Sequence, residues 1–327
     1  MKNVIFTVDV EGHVGEDPVE RLIYGNVNGE KCGIDLIMDL CDKHSVQGIF
    51  FVDIAEAFDY GKEKIANVIK HIIDRGHEVG VHIHPDHMAD KKRLFLYEYT
   101  ADEQYEILNK CTQFYYDAVG KRPLLFRAGK YGANRKTLEL LKEFGYAADF
   151  SEFYGQKWCG IKPPVCGTDS VKLENGIIEI PVMSYRNSFP CIFNRYDKID
   201  AAMPLSEYKY VMGKFKKDKQ TNPIVLFAHS FSLIDWRANP DMPTKNTREI
   251  FKLDKMLEYI ENCKELKFCK IADLLECDYS TESKIATPTV NGIPALCYMF
   301  PRAYKVFKMR NDIKKRARYN KGHNFET

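Results

Sequence analysis

Gly48-Ile49-Phe50-Phe51-Val52 is a run of strand length with no polar side chain, and a strand of that kind has to be covered on both faces. An amphipathic helix pattern precedes it over residues 33–43, with Ile34, Ile37, Met38 and Cys41 on one stripe. A second helix pattern follows over residues 65–75 and is closed by Gly76. Outside the two helices stand two more strand-like segments, one ending at Asp9-Val10-Glu11 and the other at His82-Ile83-His84. The order strand, helix, strand, helix, strand implies parallel strands, because parallel neighbours need a long crossover rather than a tight turn. Ligands of such sheets collect at the carboxyl ends of the strands. With 327 residues, 45% of them apolar, the chain can bury a substantial core as one large α/β domain or two smaller ones.

The strand ends carry the chemistry-bearing residues. Asp9 and Glu11 have the same parity, so both carboxylates leave one face of the first strand, where they repel each other unless a cation or a proton lies between them. Four of the nine histidines fall between Gly76 and His87, and His82 and His84 share a strand face, as two imidazoles of a metal site must. Pro85 then turns the chain into a loop with Asp86 and His87. His13 and His77 read as ordinary loop and strand-entry residues. Thr100-Ala101-Asp102-Glu103 is a capping box that opens a helix from Asp102 to about Val119. Leu124 to Gly132 reads as a strand running into a glycine-flanked turn, with Arg127 at its exit in reach of a carboxylate of the first strand. A helix over residues 137–144 leads to a short strand that ends in Asp149. After a loop over residues 159–169, Gly176 to Val182 reads as a hairpin or edge strand, since Pro181 offers no N–H to a ladder. A helix over 206–217, a strand from Asn222 that delivers His229, a helix over 250–263, a short strand Phe268-Cys269-Lys270 and a helical turn over 271–276 complete the pattern.

In their order these motifs resemble those of the NodB-homology polysaccharide deacetylases, carbohydrate esterase family 4, over roughly residues 3–280. The resemblance rests on Thr7-Val8-Asp9-Val10-Glu11, Gly48 to Val52, Gly76 to His82, Phe126-Arg127-Ala128-Gly129-Lys130-Tyr131-Gly132, Phe144-Gly145-Tyr146, Glu179-Ile180-Pro181 and Leu226-Phe227-Ala228-His229. It implies a distorted (β/α) barrel over residues 1–280, followed by a C-terminal extension over 281–327. The implied activity is metal-dependent hydrolysis of an N-acetyl group on a sugar or glycan precursor, in surface-polysaccharide or lipopolysaccharide synthesis. The implied roles are Asp9 as general base, Glu11 as a metal ligand beside two histidines, and His229 as general acid. Arg127 would keep Asp9 ionised, Asp149 would orient His229, and a backbone N–H near Tyr131 would bind the oxyanion. Zinc is the first choice for a carboxylate and two imidazoles, and iron, cobalt or manganese suit the same ligands.

The chain departs from the family pattern in three places. Val10 separates two acids that are usually adjacent, and one extra residue precedes Tyr131. The position four after His82 holds Asp86 instead of a histidine. The second imidazole is then His84 or His87, or Asp86 takes its place; strand parity favours His84. Two other readings share the motifs: a hydrolase of the same fold acting on another amide, such as a formamido sugar or a ureide, and an inactive sugar-binding or assembly subunit.

Between Arg302 and Lys321 nine Lys or Arg stand against Asp312 alone, a net +8, so the rest of this +2 chain carries −6. There Tyr304, Val306, Phe307, Met309 and Ile313 interleave with Lys305, Lys308, Arg310, Lys314 and Lys315, a basic and roughly amphipathic helix suited to an anionic membrane surface or a lipid-linked, phosphate-bearing glycan. No nucleic-acid recognition motif accompanies it. The ten cysteines include no CxxC pair and read as reduced thiols. With no leader-like N-terminal segment and no bilayer-length apolar run, the expected location is the cytoplasm, with peripheral membrane contact through the tail.

Overall fold

In the computed structural model, which describes residues 1–167, 169–217, 223–279 and 289–323, the apolar runs become the centre of one large sheet. In chain order the principal strands are β1 (Lys2–Val10), β2 (Ile49–Asp53), β3 (Glu78–Ile83), β4 (Leu125–Ala128), β5 (Ala148–Asp149), β6 (Val171–Lys172), β7 (Ile178–Glu179), β8 (Ser184–Phe189), β9 (Phe193–Lys198), β10 (Ile224–His229), β11 (Leu266–Phe268) and β12 (Thr289–Asn291). The principal helices are α1 (Ile34–Lys43), α2 (Lys62–Asp74), α3 (Ala101–Val119), α4 (Arg135–Glu143), α5 (Leu205–Phe215), α6 (Thr247–Glu261), α7 (Ile271–Leu275) and α8 (Ile293–His323). The large sheet runs β10-β1-β2-β3-β4-β5-β7-β6, with β11 also paired to β1. Its ladders are parallel except between β6 and β7. Helices α1 to α4 are the crossovers of the first five strands, and this is the distorted (β/α) barrel expected from the sequence.

Local chemistry explains the element boundaries. Every residue of β2 is buried, as its apolar sequence requires of a central strand. The Thr100 hydroxyl accepts from the Glu103 N–H while the Glu103 carboxylate accepts from the Thr100 N–H, closing the capping box of α3. The sheet is also strongly curled. Arg127 on β4 reaches Asp9 on β1 at 2.6 Å, although three strand spacings in a flat sheet would set these strands about 14 Å apart.

Two expectations are sharpened by the structure. Of the two readings for residues 176–182 the hairpin holds: β7 pairs antiparallel with the preceding β6 through a tight turn and in parallel with β5 on its other side, so it is no edge strand, and Pro181 is harmless because it lies beyond the strand's last residue. The strand expected over 268–270 is β11, two residues earlier, with Cys269 N–H still bonded to the Val4 carbonyl. The β8–β9 hairpin follows no simple polar and apolar alternation, yet Tyr185 and Asn187 of β8 are buried. β12 pairs in parallel with β8, and Val290 and Ala295 join the main core. Arg302 of α8 bonds the buried Glu207 at 2.8 Å and the Tyr185 hydroxyl, so the first part of α8 docks on α5 and the hairpin. On either side of Arg302, Phe300, Tyr304 and Phe307 are each more than half exposed. The domain boundary expected at residues 280–281 lies outside the described residues. All ten cysteines are free. Among the described residues no helix is long and apolar enough to cross a membrane.

Candidate active site

The carboxyl ends of β1, β3, β4 and β10 meet on the inner side of the curl. Strand β1 ends with Asp9 buried and Glu11 just beyond it, also buried. The guanidinium of Arg127, wholly buried, donates from Nη1 to Asp9 Oδ1 (2.6 Å), from Nη2 to Thr7 Oγ1 (3.1 Å) and from Nε to the Phe150 carbonyl (3.2 Å). It also lies 4.2 Å from the centre of the Phe51 ring. Burial alone would raise Asp9, but the charges of Arg127, His82 and His229 outweigh it and hold the carboxyl below its ordinary value.

His82 and His84 come from one face of β3 and the residue that follows it, with ring centres 5.0 Å apart. His82 Nδ1 donates to the backbone carbonyl of Arg127 at 2.8 Å. Because a carbonyl only accepts, the proton is on Nδ1 and the Nε2 lone pair faces Asp9 Oδ2 at 3.8 Å and Glu11 Oε2 at 4.0 Å. Burial holds His82 down to about 4, so the ring is neutral near pH 7. His84 Nε2 lies 3.0 Å from Glu11 Oε2, and Lys130 Nζ lies 3.2 Å from its Nδ1. For Glu11, burial again acts to raise the carboxyl, but the His84 hydrogen bond and the neighbouring imidazoles hold it well below the usual range. Gly129 packs flat on His84: a Cβ there would stand 2.4 Å from the ring.

One donor atom from each of Glu11, His82 and His84 lies within 4.8 Å of the others. This set fits a divalent cation, because His82 already presents an unprotonated nitrogen held by a carbonyl behind it, the usual support of a metal-binding histidine. The proton between His84 Nε2 and Glu11 is the one a cation would displace. The imidazole beside His82 is His84. His87 instead turns to Asp59 at 2.9 Å, and Asp86 lies 3.9 Å from Lys130 Nζ.

His229 closes the opposite side, with Nε2 3.5 Å from Glu11 Oε1 and its ring stacked on Phe231 at 4.9 Å. Burial holds it down to about 4, while Glu11, Asp9 and Asp200 act to raise it and Lys198 to lower it. Asp149 does not orient this ring, contrary to the expectation from the family pattern. Its Oδ1 accepts from Ser151 Oγ at 2.6 Å and its other oxygen has no hydrogen-bond partner, while the neighbouring Glu179 shares its buried environment. The physical reason is the strand order, which puts β5 five places from β10.

Lys130 and Tyr131 are both left-handed, with φ of 52° and 60°, a strained turn that redirects the backbone beside His84. The Tyr131 hydroxyl accepts from Lys198 Nζ at 2.8 Å, and that ammonium sits 3.6 Å from the centre of the Phe227 ring. Lys198, at the end of the β8–β9 hairpin, is a site residue the sequence reading missed; nothing local marks it. His13, which reads from sequence as an ordinary loop residue, stacks on Phe231 at 5.9 Å near the mouth.

The curled, largely parallel sheet thus gathers buried acids and imidazoles at the carboxyl ends of its strands. Residues 27–148 match the family model described as polysaccharide deacetylase. The match contains His82, His84, Arg127 and Tyr131, while Asp9, Glu11 and His229 lie on either side of it. A peptidoglycan deacetylase of Helicobacter pylori is 26% identical over 193 residues, which cover 54% of this chain and 61% of that protein. The chain thus spans under two thirds of the curated relative it matches. Two solved structures share the fold. A Mycobacterium smegmatis protein classed with the polysaccharide deacetylases has a TM-score of 0.56 at 18% identity, over 84% of this chain and 88% of that one. The PuuE allantoinase has a TM-score of 0.52 at 13% identity, over the same shares of the two chains.

Proposed function

We propose that this protein is a metal-dependent amide hydrolase that removes an N-acetyl group from a sugar or glycan precursor. The observation that carries the reading is the meeting of three metal-type donors, Glu11, His82 and His84, with the Arg127-held carboxylate of Asp9 and with His229. A divalent ion held by the three donors, zinc in first place, supplies carbonyl polarisation and a water acidic enough to be activated near neutral pH. Asp9, kept ionised by Arg127, accepts the proton of the attacking water. His229 is neutral in the free protein, and negative charge developing on the substrate beside it favours the imidazolium that can protonate the leaving amine. The backbone N–H at Tyr131 is the candidate oxyanion donor, and Lys198 brings a positive charge to the same wall.

The exposed aromatic residues of α8 beside its basic side chains support weak attraction to an anionic membrane or a lipid-linked glycan, with the protein otherwise in the cytoplasm. Equal binding to anionic vesicles by the full chain and by a chain ending at residue 303 would remove that part of the reading.

The main test assays N-acetylated nucleotide sugars and short glycans for released acetate, with and without chelator. A formamido sugar and a ureide complete the panel, the latter because of the fold shared with the allantoinase. Expected are acetate release, its loss on chelation, its return with Zn2+, and loss of the ion in Glu11→Gln. Absence of a stoichiometric ion, with Glu11→Gln fully active, would refute the metal mechanism; turnover of the ureide alone would move the substrate class.

A further inference from the structure

A second group of metal-type side chains lies beside the first and has no part in the reaction above. Asp53, at the end of β2, and Glu56 are 1% and 0% exposed. One oxygen of each has backbone partners. Asp53 Oδ1 accepts from Ala55 N–H (3.0 Å) and His84 N–H (3.3 Å), and Glu56 Oε1 accepts from Gly12 N–H (2.6 Å) and His13 N–H (3.3 Å). The other oxygens, Asp53 Oδ2 and Glu56 Oε2, are buried without any hydrogen-bond partner. Buried polar atoms are nearly always satisfied, so two bare carboxylate oxygens in one place need a cation or a proton.

His87 supplies a third donor. Its Nδ1 donates to Asp59 Oδ2 at 2.9 Å, which leaves the Nε2 lone pair facing Glu56 Oε1 at 3.9 Å, too far for a hydrogen bond. A carboxylate behind an imidazole whose other nitrogen points at more carboxylates is the arrangement of a metal-binding histidine. One donor atom from each of Asp53, Glu56 and His87 lies within 4.8 Å of the others. The edge of the Tyr60 ring packs on His87 at 5.3 Å, and Lys91 pairs with Asp59 at 2.8 Å on the solvent side.

We propose that Asp53, Glu56 and His87 hold a second divalent cation beside the Glu11, His82 and His84 set, with Asp59 positioning His87. Two carboxylates and one imidazole suit manganese or zinc. The two sets share backbone: Glu56 holds the N–H groups that directly follow Glu11, and Asp53 holds that of His84. The second ion would therefore brace two members of the first set.

The test counts ions on the full-length protein loaded with Zn2+ or Mn2+ and freed of excess, by elemental mass spectrometry. Wild type is expected to keep two ions per chain. Glu56→Gln, His87→Ala and His84→Ala should each keep one, and paramagnetic resonance of the manganese form should show a coupled pair only in wild type. One ion in wild type, kept in Glu56→Gln and His87→Ala but lost in His84→Ala, would overturn the proposal and make the second group a protonated carboxyl pair. One ion kept in His84→Ala but lost in Glu56→Gln would uphold it and overturn the first site instead; no ion in wild type would overturn both. Glu56→Gln keeps an acceptor for Gly12 and His13, and His87→Ala on the solvent side decides the matter if that variant misfolds.

Discussion

Arg127→Met removes the charge that faces Asp9 while retaining a long, flexible side chain over Phe51. The wild-type guanidinium is fully buried and has three protein partners, with the Asp9 contact at 2.6 Å. Removing one member of a buried ion pair costs about 3–5 kcal/mol, a large part of the about 5–15 kcal/mol that holds a typical domain folded. The pH dependence fixes the cause. Burial raises Asp9, and Arg127 is the foremost of the charges that bring it below its ordinary value of 3.8. A carboxyl depressed in the folded state adds stability above its unfolded value, and that stability is lost as pH falls through the folded value. Without Arg127, burial prevails and the carboxyl rises by about 1–3 pH units. The variant then pays its full penalty at pH 7 and less near pH 4, by about 1.4 kcal/mol for each unit by which the raised value exceeds pH 4. Urea unfolding of both proteins at the two pH values measures this, and the acid limb of the kcat/KM profile should climb by the same about 1–3 units. A destabilisation equal at both pH values, with the acid limb unmoved, would refute the assignment of Arg127 as the partner that keeps Asp9 ionised.

Two further outcomes follow from the geometry. Gly129→Ala places a Cβ 2.4 Å from the His84 ring and 2.7 Å from the Ile83 carbonyl; the ring must swing away, and affinity for the ion should fall about 10–100-fold in a chelator competition. Unchanged affinity would mean that His84 is not a ligand. His229→Ala should lower kcat by about 10²–10⁴ with metal content intact, and a kcat within a few-fold of wild type would remove its role as acid.

Much of the architecture is legible because it depends on neighbours in sequence. The pairing of His82 with His84 follows from a strand's two-residue period, and the Thr100 capping box from the reach of a hydroxyl across one helical turn. The parity of Asp9 and Glu11 follows in the same way. The crossover order of the first five strands was readable because all-apolar strands alternate with amphipathic helices.

The misreadings arose where a side chain's partner is distant in sequence. Asp149 stands at a strand end, as the pattern of the other site residues invites, yet its strand lies across the sheet from His229 and its carboxyl faces Ser151. Lys198 and Asp200, on and just after a hairpin with no clear period, join Glu11 and Asp9 as charged groups acting on His229. The pairing of Arg127 with a first-strand carboxylate is legible in its strand-end position, but its 2.6 Å contact with Asp9 depends on how far the sheet curls, and the gathering of Asp53, Glu56 and His87 cannot be read from spacing at all. Sequence alone determined which residues share a strand face, because backbone geometry sets that within a few residues. Tertiary structure alone decided which faces meet, because strand order and curl are settled by burial summed over the whole core.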